Sequence, residues 1–151
     1  MESEEVMKVR EVMTSNPICC VPEDTAQHVA KLMCEQNVGA LPVVADQQSR
    51  TLTGIITDRD LCCSVIAQGL DPKSTKIQRY MRQNPVSCRD GENLEHCEDA
   101  MQKHQIRRVP IVDGEGRCIG IVAQADLALK DRSERVSKTV AEISRSRSVA
   151  A

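Results

Sequence analysis

The sequence predicts an α+β fold made of two copies of a strand–helix–strand–strand–helix unit. Two observations carry this prediction: short apolar segments alternate with amphipathic helical patterns, and the same order of segments returns in the second half of the chain. An amphipathic helix must cover a sheet or another helix, so each copy combines a small sheet with helices. One copy of about 65 residues is marginally stable alone. We therefore expect the two copies to share one core, packed about a pseudo-twofold axis.

The element boundaries of the first copy have local causes. Asn16-Pro17 ends a short helical turn, because the residue before a proline avoids the helical region. Asp24 and Thr25 supply the carboxylate and hydroxyl that start the next helix. Gly69 ends the last helix, since glycine adopts the left-handed conformation that closes helices. The predicted elements are a helical turn at 9–13, a strand at 18–21, a helix at 26–36, strands at 41–44 and 52–57, and a helix at 58–68.

The second copy follows the first in register. The motif Met-x-x-Asn-Pro at 13–17 returns at 81–85, and the segment at 39–44 returns at 107–112 with the same spacing. The segment at 54–60 returns slightly early, at 120–126, because the turn before it is shorter, and turns are where deletions are tolerated. We predict a first domain at 8–70, a second at 76–132, and a C-terminal helix or tail at 133–151 that contains Val136, Val140 and Ile143.

Composition excludes several classes of function. A formal net charge of −2 provides no basic surface for nucleic acid or an anionic membrane. The chain has no Phe, no Trp and a single tyrosine, Tyr80, so it lacks the aromatic surface on which bases stack. No apolar run approaches the roughly 18–20 residues that span a bilayer, and the acidic start is unlike a secretory signal. We expect a cytoplasmic protein with neither nucleic acid nor membrane as a partner.

The eight cysteines form no Cys-x-x-Cys pair, and most fall within apolar strand or helix patterns. This distribution favours reduced thiols that serve as small core residues. A zinc or redox site built on them is the alternative. The three histidines lie singly on helical patterns, where a surface position is expected, and no metal site is predicted. The sequence contains no catalytic motif, such as a nucleophile elbow or a Walker-type glycine loop, so we expect no enzyme.

The segment at 54–60 is the candidate functional site. An apolar strand runs directly into a helix start there, and the Thr57 hydroxyl and the Asp60 carboxylate stand three residues apart. Backbone N–H groups are free at such a junction and can meet an anion or a ribose. The same two residues could instead be an ordinary N-cap and a first-turn acid. The segment alone leaves both interpretations open.

Six motifs, in order, identify a family. They are VMTxNP at 12–17, VGALPVV at 38–44, GIITDRDL at 54–61, YMxxNP at 80–85, IRRVPIV at 106–112 and GIVxxxDL at 120–127. On these motifs the sequence resembles a tandem pair of CBS (cystathionine-β-synthase) domains, also called a Bateman module. The resemblance covers roughly residues 8–132 and includes no attached enzyme or transporter, as in the stand-alone members.

The resemblance implies a regulatory protein that binds an adenine nucleotide or related adenosyl ligand, such as AMP, ADP, ATP, NAD or S-adenosylmethionine. Binding is expected in the cleft between the two copies, where two quasi-equivalent sites are possible. The family usually dimerises, so a homodimer is expected, together with an unidentified regulated protein as partner. No cofactor is required beyond the nucleotide ligand itself.

The family's binding residues map onto matching positions of this chain. The resemblance implies that the aspartate of each junction holds the ribose hydroxyls, that the hydroxyl ahead of it helps with phosphate, and that the first strand of the other copy flanks the adenine. Basic residues before the third strand reach phosphate; a solvated pair or a dimer-interface pair is the alternative for these. One cleft would combine Thr57, Arg59 and Asp60 with Asn84, Pro85 and Val86, the other Asp126 with Asn16, Pro17 and Ile18, and the basic residues are Arg107 and Arg108.

The two clefts are predicted to be unequal. Ala123 stands in the second copy where the first has Thr57, and Ala125 stands where the first has Arg59. We therefore expect the cleft that contains Asp60 to bind more tightly. Two other classes of function remain: an interaction protein with vestigial clefts, and a metal or redox sensor built on the cysteines.

Overall fold

Helices and short strands alternate along the chain in the predicted order. The computed structural model describes residues 6–130 and 139–143, and it confirms the α+β class and the two repeats. The helix that begins at Asp58 continues as a π-helix over Leu61–Ile66, and a 3₁₀ turn covers Ile77–Arg79. The other elements are α1 (Val9–Val12), β1 (Thr14–Ser15), α2 (Ala26–Gln36), β2 (Ala40–Val44), β3 (Leu52–Thr57), α3 (Asp58–Asp60), β4 (Arg82–Gln83), β5 (Cys88–Arg89), α4 (Leu94–His104), β6 (Arg108–Val112), β7 (Cys118–Ala123) and α5 (Gln124–Lys130).

The chain divides into two compact units. The first-copy unit contains residues 17–85 and 115–118, and the described part of the second-copy unit contains 6–16, 86–114, 119–130 and 139–143. The short strands β1 and β4, called the lead strands below, each belong to the unit formed mainly by the other copy of the repeat. Strand β1 lies in the second-copy unit and β4 in the first-copy unit. The predicted boundaries describe the repeat along the sequence, and these spatial units do not follow them. The pseudo-twofold arrangement stays a prediction.

The first-copy unit contains an antiparallel sheet in the order β2-β3-β4. Helix α2 starts at Thr25, whose hydroxyl accepts the His28 N–H at 3.2 Å, as the sequence predicts. It ends at Asn37, which adopts a left-handed φ of 54°. The helix and the sheet enclose an aliphatic core formed by Cys20, Ala26, Val29, Met33, Leu41, Val43, Ile56, Leu61, Val65 and Ile77.

The second-copy unit contains a sheet in the order β1-β7-β6-β5, in which β5 is parallel to β6. Strand β7 alternates buried and half-buried residues, the pattern of a strand with one face on a core. Helix α4 ends at Gln105, at a left-handed φ of 53° like that of α2. The core of this unit is formed by Val9, Val12, Cys88, Leu94, Cys97, Met101, Val109, Ile111, Val122, Leu127 and Ile143.

Two glycines let the lead strands lie close to their partners. A Cβ at Gly54, on β3, would lie 2.7 Å from the carbonyl oxygen of Arg82 on β4. A Cβ at Gly120, on β7, would overlap the Met13 side chain that precedes β1. Neither glycine has a positive φ. Glycine is therefore required at both positions for space rather than for conformational freedom.

Two predicted elements differ in the structure. The strand predicted at 18–21 is reduced to a single bridge at Cys20, which bonds to the Pro42 carbonyl and the Val44 N–H. The helix predicted at 58–68 is α-helical through Asp60 and then π-helical. In the predicted tail, Val136 lies outside the described residues, whereas 139–143 are helical.

Replacing Gly54 by alanine tests the close approach of β4 to β3. The added methyl group must push the β4 backbone away, so we expect Gly54→Ala to lower the free energy of unfolding by about 1–3 kcal/mol. Gly114→Ala is the matched control, because a Cβ at that position would meet nothing within 4 Å and the φ of Gly114 is not positive. Urea denaturation measures the free energy of unfolding of both variants. Equal midpoints for the two would contradict the steric argument.

Candidate functional site

A capping box closes the strand-to-helix junction of the first-copy unit. The Thr57 Oγ1 accepts the Asp60 N–H at 3.1 Å, and the Asp60 Oδ2 accepts the Thr57 N–H at 3.0 Å. The capping role that the sequence left open is therefore present, since both side chains bond N–H groups at the helix start. It uses one oxygen of the carboxylate. Asp60 Oδ1 and the donor capacity of the Thr57 hydroxyl are not used by the cap.

Strand β4 brings a guanidinium to the second oxygen of Asp60. Arg82 Nε lies 3.9 Å from Asp60 Oδ1, and the Arg82 side chain is 61% exposed whereas that of Asp60 is 15% exposed. The distance exceeds that of a hydrogen bond, and exposed ion pairs contribute only about 0–1 kcal/mol. The carboxylate oxygen therefore lies near a cation that does not occupy it.

The second-copy unit builds the same junction with different neighbours. The Asp126 Oδ2 accepts the Ala123 N–H at 2.8 Å, and the Asp126 Oδ1 accepts the Thr14 hydroxyl at 3.2 Å. Thr14 and Arg82 occupy equivalent positions, each directly after the methionine of a Met-x-x-Asn-Pro motif. The equivalent carboxylate oxygen thus faces a hydroxyl in one unit and a guanidinium in the other.

The start of β6 places two arginines beside the second-copy junction. The Gln124 N–H donates to the Arg107 carbonyl at 2.9 Å, and the Asp58 N–H makes the equivalent bond to Gly39 in the first-copy unit. Both arginine side chains are half-buried. They border a cavity of about 330 Å³, near the lower end of the range for small-molecule sites. The cavity is lined by Arg107, Arg108, Ala123, Gln124, Ala125, Ala128 and Val140.

The polar side chains suited to contact a phosphate are therefore divided between the two units. The first-copy junction has the Thr57 hydroxyl and Arg59, which is exposed at the helix start. The second-copy junction lacks equivalents of both but has Arg107 and Arg108. The expectation that the Asp60 site binds more tightly stays a prediction. The presence of Arg107 and Arg108 beside the other junction argues against it.

An asparagine in the left-handed region ends each lead strand. Asn16 and Asn84 have φ values of 49° and 50°. Asparagine tolerates this conformation better than most residues, because its short side chain can bond locally. The Asn16 N–H donates to the Ile119 carbonyl at 3.0 Å, which fixes the end of β1 on β7. These positions shape the turn from the lead strand into the following proline.

The predicted residue sets contain members of both units. In the first-copy unit, the register of β3 with β4 places Arg82 opposite Ile55, two residues before Thr57. The structure thus brings the segment before Asn84 beside the Asp60 junction. The first-copy unit contains Thr57, Arg59, Asp60, Asn84, Pro85, Pro17 and Ile18, and the second-copy unit contains Val86, Asn16, Asp126, Arg107 and Arg108.

Sequence reasoning missed Thr14 and Arg82. The available signal was their shared position, directly after the methionine of the repeated Met-x-x-Asn-Pro motif. It was insufficient because the two residue types differ and because only strand pairing brings either one to an aspartate. The cavity residues Gln124, Ala128 and Val140 were also missed, because nothing in the sequence shows that the helical segments carrying them border one cavity.

The described part of the chain offers no metal cluster and no bilayer-spanning helix. Among residues 6–130 and 139–143, no three His, Cys, Asp or Glu side chains group as metal ligands would. No helix described there has both the length and the apolar character needed to cross a membrane. All eight cysteines lie in the described ranges, and none of them is joined in a disulfide.

Residues 9–65 and 77–131 match the family model for the CBS domain. The chain is similar to the CBS domain-containing protein YhcV of Bacillus subtilis, with 40% identity over 125 residues that cover 83% of this chain and 86% of the relative. It is also similar to hypoxic response protein 1 of Mycobacterium tuberculosis, with 33% identity over 119 residues that cover 79% and 81% of the two chains. These relatives are matched over most of their own length.

The chain is also similar to solved structures of CBS domain proteins. The chain superposes on Hypoxic Response Protein I with two coordinated zinc ions at a TM-score of 0.74, with 31% identity and coverage of 82% and 98%. For CBSX2 in complex with AMP the TM-score is 0.69, with 27% identity and coverage of 81% and 93%. For the CBS domain pair of MJ0100 with 5'-methylthioadenosine and S-adenosyl-L-methionine it is 0.72, with 28% identity and coverage of 82% and 94%.

Proposed function

The chain belongs to the CBS domain family, and on that premise we propose that it is a regulatory protein that binds an adenosyl ligand such as AMP, ADP, ATP, NAD or S-adenosylmethionine. The observation that carries the proposal is the repeated junction. Asp60 and Asp126 each use one carboxylate oxygen to hold the helix start and direct the other toward the lead strand. A ligand that donates two hydroxyl groups, as a ribose does, suits such an acceptor.

The chemistry of the nearby groups supports this ligand class. Hydrogen bonds from a ribose diol to an ionised carboxylate are charge-assisted and stronger than bonds to a neutral amide. Arg107 and Arg108 bring two planar guanidinium groups to the cavity, and this shape suits a phosphate. CBSX2 is complexed with AMP, and MJ0100 with S-adenosyl-L-methionine, at 27% and 28% identity to this chain.

We place binding, rather than catalysis, at these junctions, with no cofactor beyond the ligand. A regulatory switch requires that the ligand bind one conformation of the protein better than another, which then biases a partner surface. The regulated protein, the cytoplasmic location and the position of the ligand between the two copies are parts of this proposal.

Changing Asp60 to asparagine tests the ribose assignment. The asparagine still offers an oxygen to the Thr57 N–H, so the cap is kept, but charge-assisted bonds to the ligand become neutral ones. We expect AMP affinity at this site to fall about tenfold, equivalent to about 1.4 kcal/mol. Isothermal titration measures it. Asp126→Asn makes the same change in the second-copy unit and separates the two sites.

The matched control is Asp58→Asn, two residues earlier. It removes the same charge from the exposed side chain that accepts the Arg59 N–H, without touching the cap. Its AMP affinity should equal that of the unmodified protein. The proposal fails if AMP, ADP, ATP, NAD and S-adenosylmethionine all give neither heat nor a thermal shift. An Asp60→Asn variant that binds normally would remove Asp60 from the site while leaving Asp126 to be tested.

Arg82 is expected to favour anionic ligands at the Asp60 site. Two unit charges about 6 Å apart in water interact by roughly 0.7 kcal/mol, so Arg82→Thr should weaken AMP binding about threefold. Binding of adenosine, which carries no phosphate, should change little. The ratio of the two affinities is the measurement, and Arg79→Thr is the control with the same loss of charge. A parallel loss of adenosine and AMP affinity would contradict the electrostatic role.

We also propose that the chain forms a homodimer. Large apolar side chains are exposed on the last helix of each copy, with Ile66 at 58% and Leu129 at 83% exposure. Sedimentation equilibrium should give twice the 16.7 kDa chain mass. A monomer at micromolar concentration would contradict this.

A second candidate function is an interaction protein with vestigial sites. The observation that favours it is confined to the second-copy junction, where Asp126 Oδ1 already accepts the Thr14 hydroxyl and Ala123 provides no hydroxyl. Normal partner binding by an Asp60→Asn, Asp126→Asn double variant that binds no nucleotide would support it.

A further inference from the structure

Two pairs of buried cysteines lie together, one pair in each unit. In the first-copy unit Cys19 and Cys118 belong to one small buried cluster, and in the second-copy unit Cys88 and Cys97 belong to the core. Burial does not distinguish the pairs. Cys19 and Cys118 are 4% and 0% exposed, and Cys88 and Cys97 are 5% and 0% exposed. Any difference in their chemistry must come from the groups around them.

A fixed guanidinium lies against the first pair. Arg50 Nη2 donates to the Cys19 sulfur at 3.3 Å and to the Pro17 carbonyl at 2.9 Å. Its Nε donates to the Cys118 carbonyl at 3.2 Å, so the cation is held between the two cysteine segments. Arg50 itself ends the turn after β2 in the left-handed region, at a φ of 55°. The hydrogen bond from Cys118 and the positive charge of Arg50 lower the pKa of the Cys19 thiol, against the effect of burial.

Carboxylates lie near the second pair. The pKa of Cys88 is lowered by the hydrogen bond from Cys97, as that of Cys19 is by Cys118, but here burial and the charge of Glu92 oppose the shift and no cation supports it. The hydrogen bond to Cys88, burial, and the charges of Cys88, Glu98 and Glu92 all raise the pKa of Cys97. A thiolate is the nucleophilic form of cysteine, and nearby cations stabilise it whereas nearby anions destabilise it. The two pairs are thus matched in burial and opposite in the sign of their surroundings.

We propose that Cys19 and Cys118 are an oxidation site, at which a hydroperoxide converts the two thiols into an intramolecular disulfide, whereas Cys88 and Cys97 stay reduced under the same conditions. Cys19 is the residue oxidised first, because its sulfur accepts a hydrogen bond from Arg50 and because it is 4% exposed whereas Cys118 is fully buried. Cys20, its neighbour, is fully buried and is excluded as the nucleophile. Burial, followed by the charge of Asp24, raises the pKa of Cys20 to about 12.

The reaction proceeds in two balanced steps. The Cys19 thiolate attacks one oxygen of the hydroperoxide; an S–O bond forms, the O–O bond breaks, and the leaving oxygen takes up a proton. Cys19 is then a sulfenic acid. The Cys118 sulfur attacks the Cys19 sulfur and loses its proton; the S–S bond forms, the S–O bond of the sulfenic acid breaks, and the hydroxyl group leaves with that proton as water. With hydrogen peroxide, two thiols and one peroxide give one disulfide and two molecules of water.

The bond would alter the segment around Pro17. A disulfide has no negative charge, so Arg50 would lose its interaction with the Cys19 thiolate while keeping its bonds to the Pro17 and Cys118 carbonyls. A covalent link between residues 19 and 118 also closes a long stretch of chain, which restricts the unfolded state. The oxidised protein should therefore have a higher Tm than the reduced protein.

The test uses the full chain with the three exposed cysteines replaced, as Cys34→Ser, Cys62→Ser and Cys63→Ser. This protein is treated with hydrogen peroxide, blocked with iodoacetamide at timed intervals, and digested without reduction. Mass spectrometry follows both linked peptides and the loss of two hydrogen atoms from each. We expect the Cys19–Cys118 disulfide to form at least tenfold faster than the Cys88–Cys97 disulfide. Equal rates, or faster reaction of the second pair, would overturn the proposal.

Two variants test the role of each partner. Arg50→Met should slow the Cys19–Cys118 disulfide at least tenfold, whereas Arg79→Met, an exposed arginine in the same unit, should leave the rate unchanged. Cys118→Ser should leave Cys19 as a sulfenic acid that dimedone labels, even if Arg50→Met does not fold. An unchanged rate in folded Arg50→Met, or Cys19 carried to sulfinic acid in the presence of Cys118, would overturn the proposal.

Discussion

The close approach of each lead strand to a glycine-bearing strand is the constraint on which the rest of the structure depends. At Gly54 and Gly120 there is no room for a side chain, since the backbone of β4 or the Met13 side chain fills the space. The lead strand thereby reaches the junction where its neighbour turns into a helix, and it carries Arg82 or Thr14 to the aspartate there. Because each lead strand belongs to the other copy of the repeat, neither copy of the sequence completes its unit alone.

At the duplicated junction, the structural role of each carboxylate is compatible with the binding role that we propose for it. One oxygen of Asp60 or Asp126 bonds the first N–H of the turn, which stabilises the helix start in both units. The second oxygen faces the lead strand: in one unit it lies 3.9 Å from the Arg82 guanidinium, and in the other it accepts the Thr14 hydroxyl. Capping and ligand binding, which compete as explanations of the sequence, are therefore compatible in the structure. The difference between the units then resides in the neighbours of the aspartate rather than in the aspartate itself.

The sequence predicted what local patterns determine. The bounds of α2 and β3, the cap at Thr25 and the CBS resemblance are confirmed, because periodicity, capping chemistry and motif order are all encoded within short stretches. The strand at 18–21 failed because its pairing depends on bonds to a distant strand, and the π-helix after Asp60 leaves no distinct periodic signal. The contact between Arg82 and Asp60 was not predictable either, because it depends on the register of β4 with β3.

The cysteine pairs extend the same reasoning from geometry to reactivity. If burial alone governed these thiols, all four would be equally inert, since their exposed fractions are nearly identical. A charge held at 3.3 Å breaks that equivalence, and Arg50 is held there by two carbonyl bonds that do not depend on the thiol. The cation therefore stays in place whether Cys19 is protonated, ionised or oxidised. A preorganised charge of this kind favours the thiolate without any rearrangement of the chain, and this is why the rate of oxidation should follow Arg50 rather than solvent exposure.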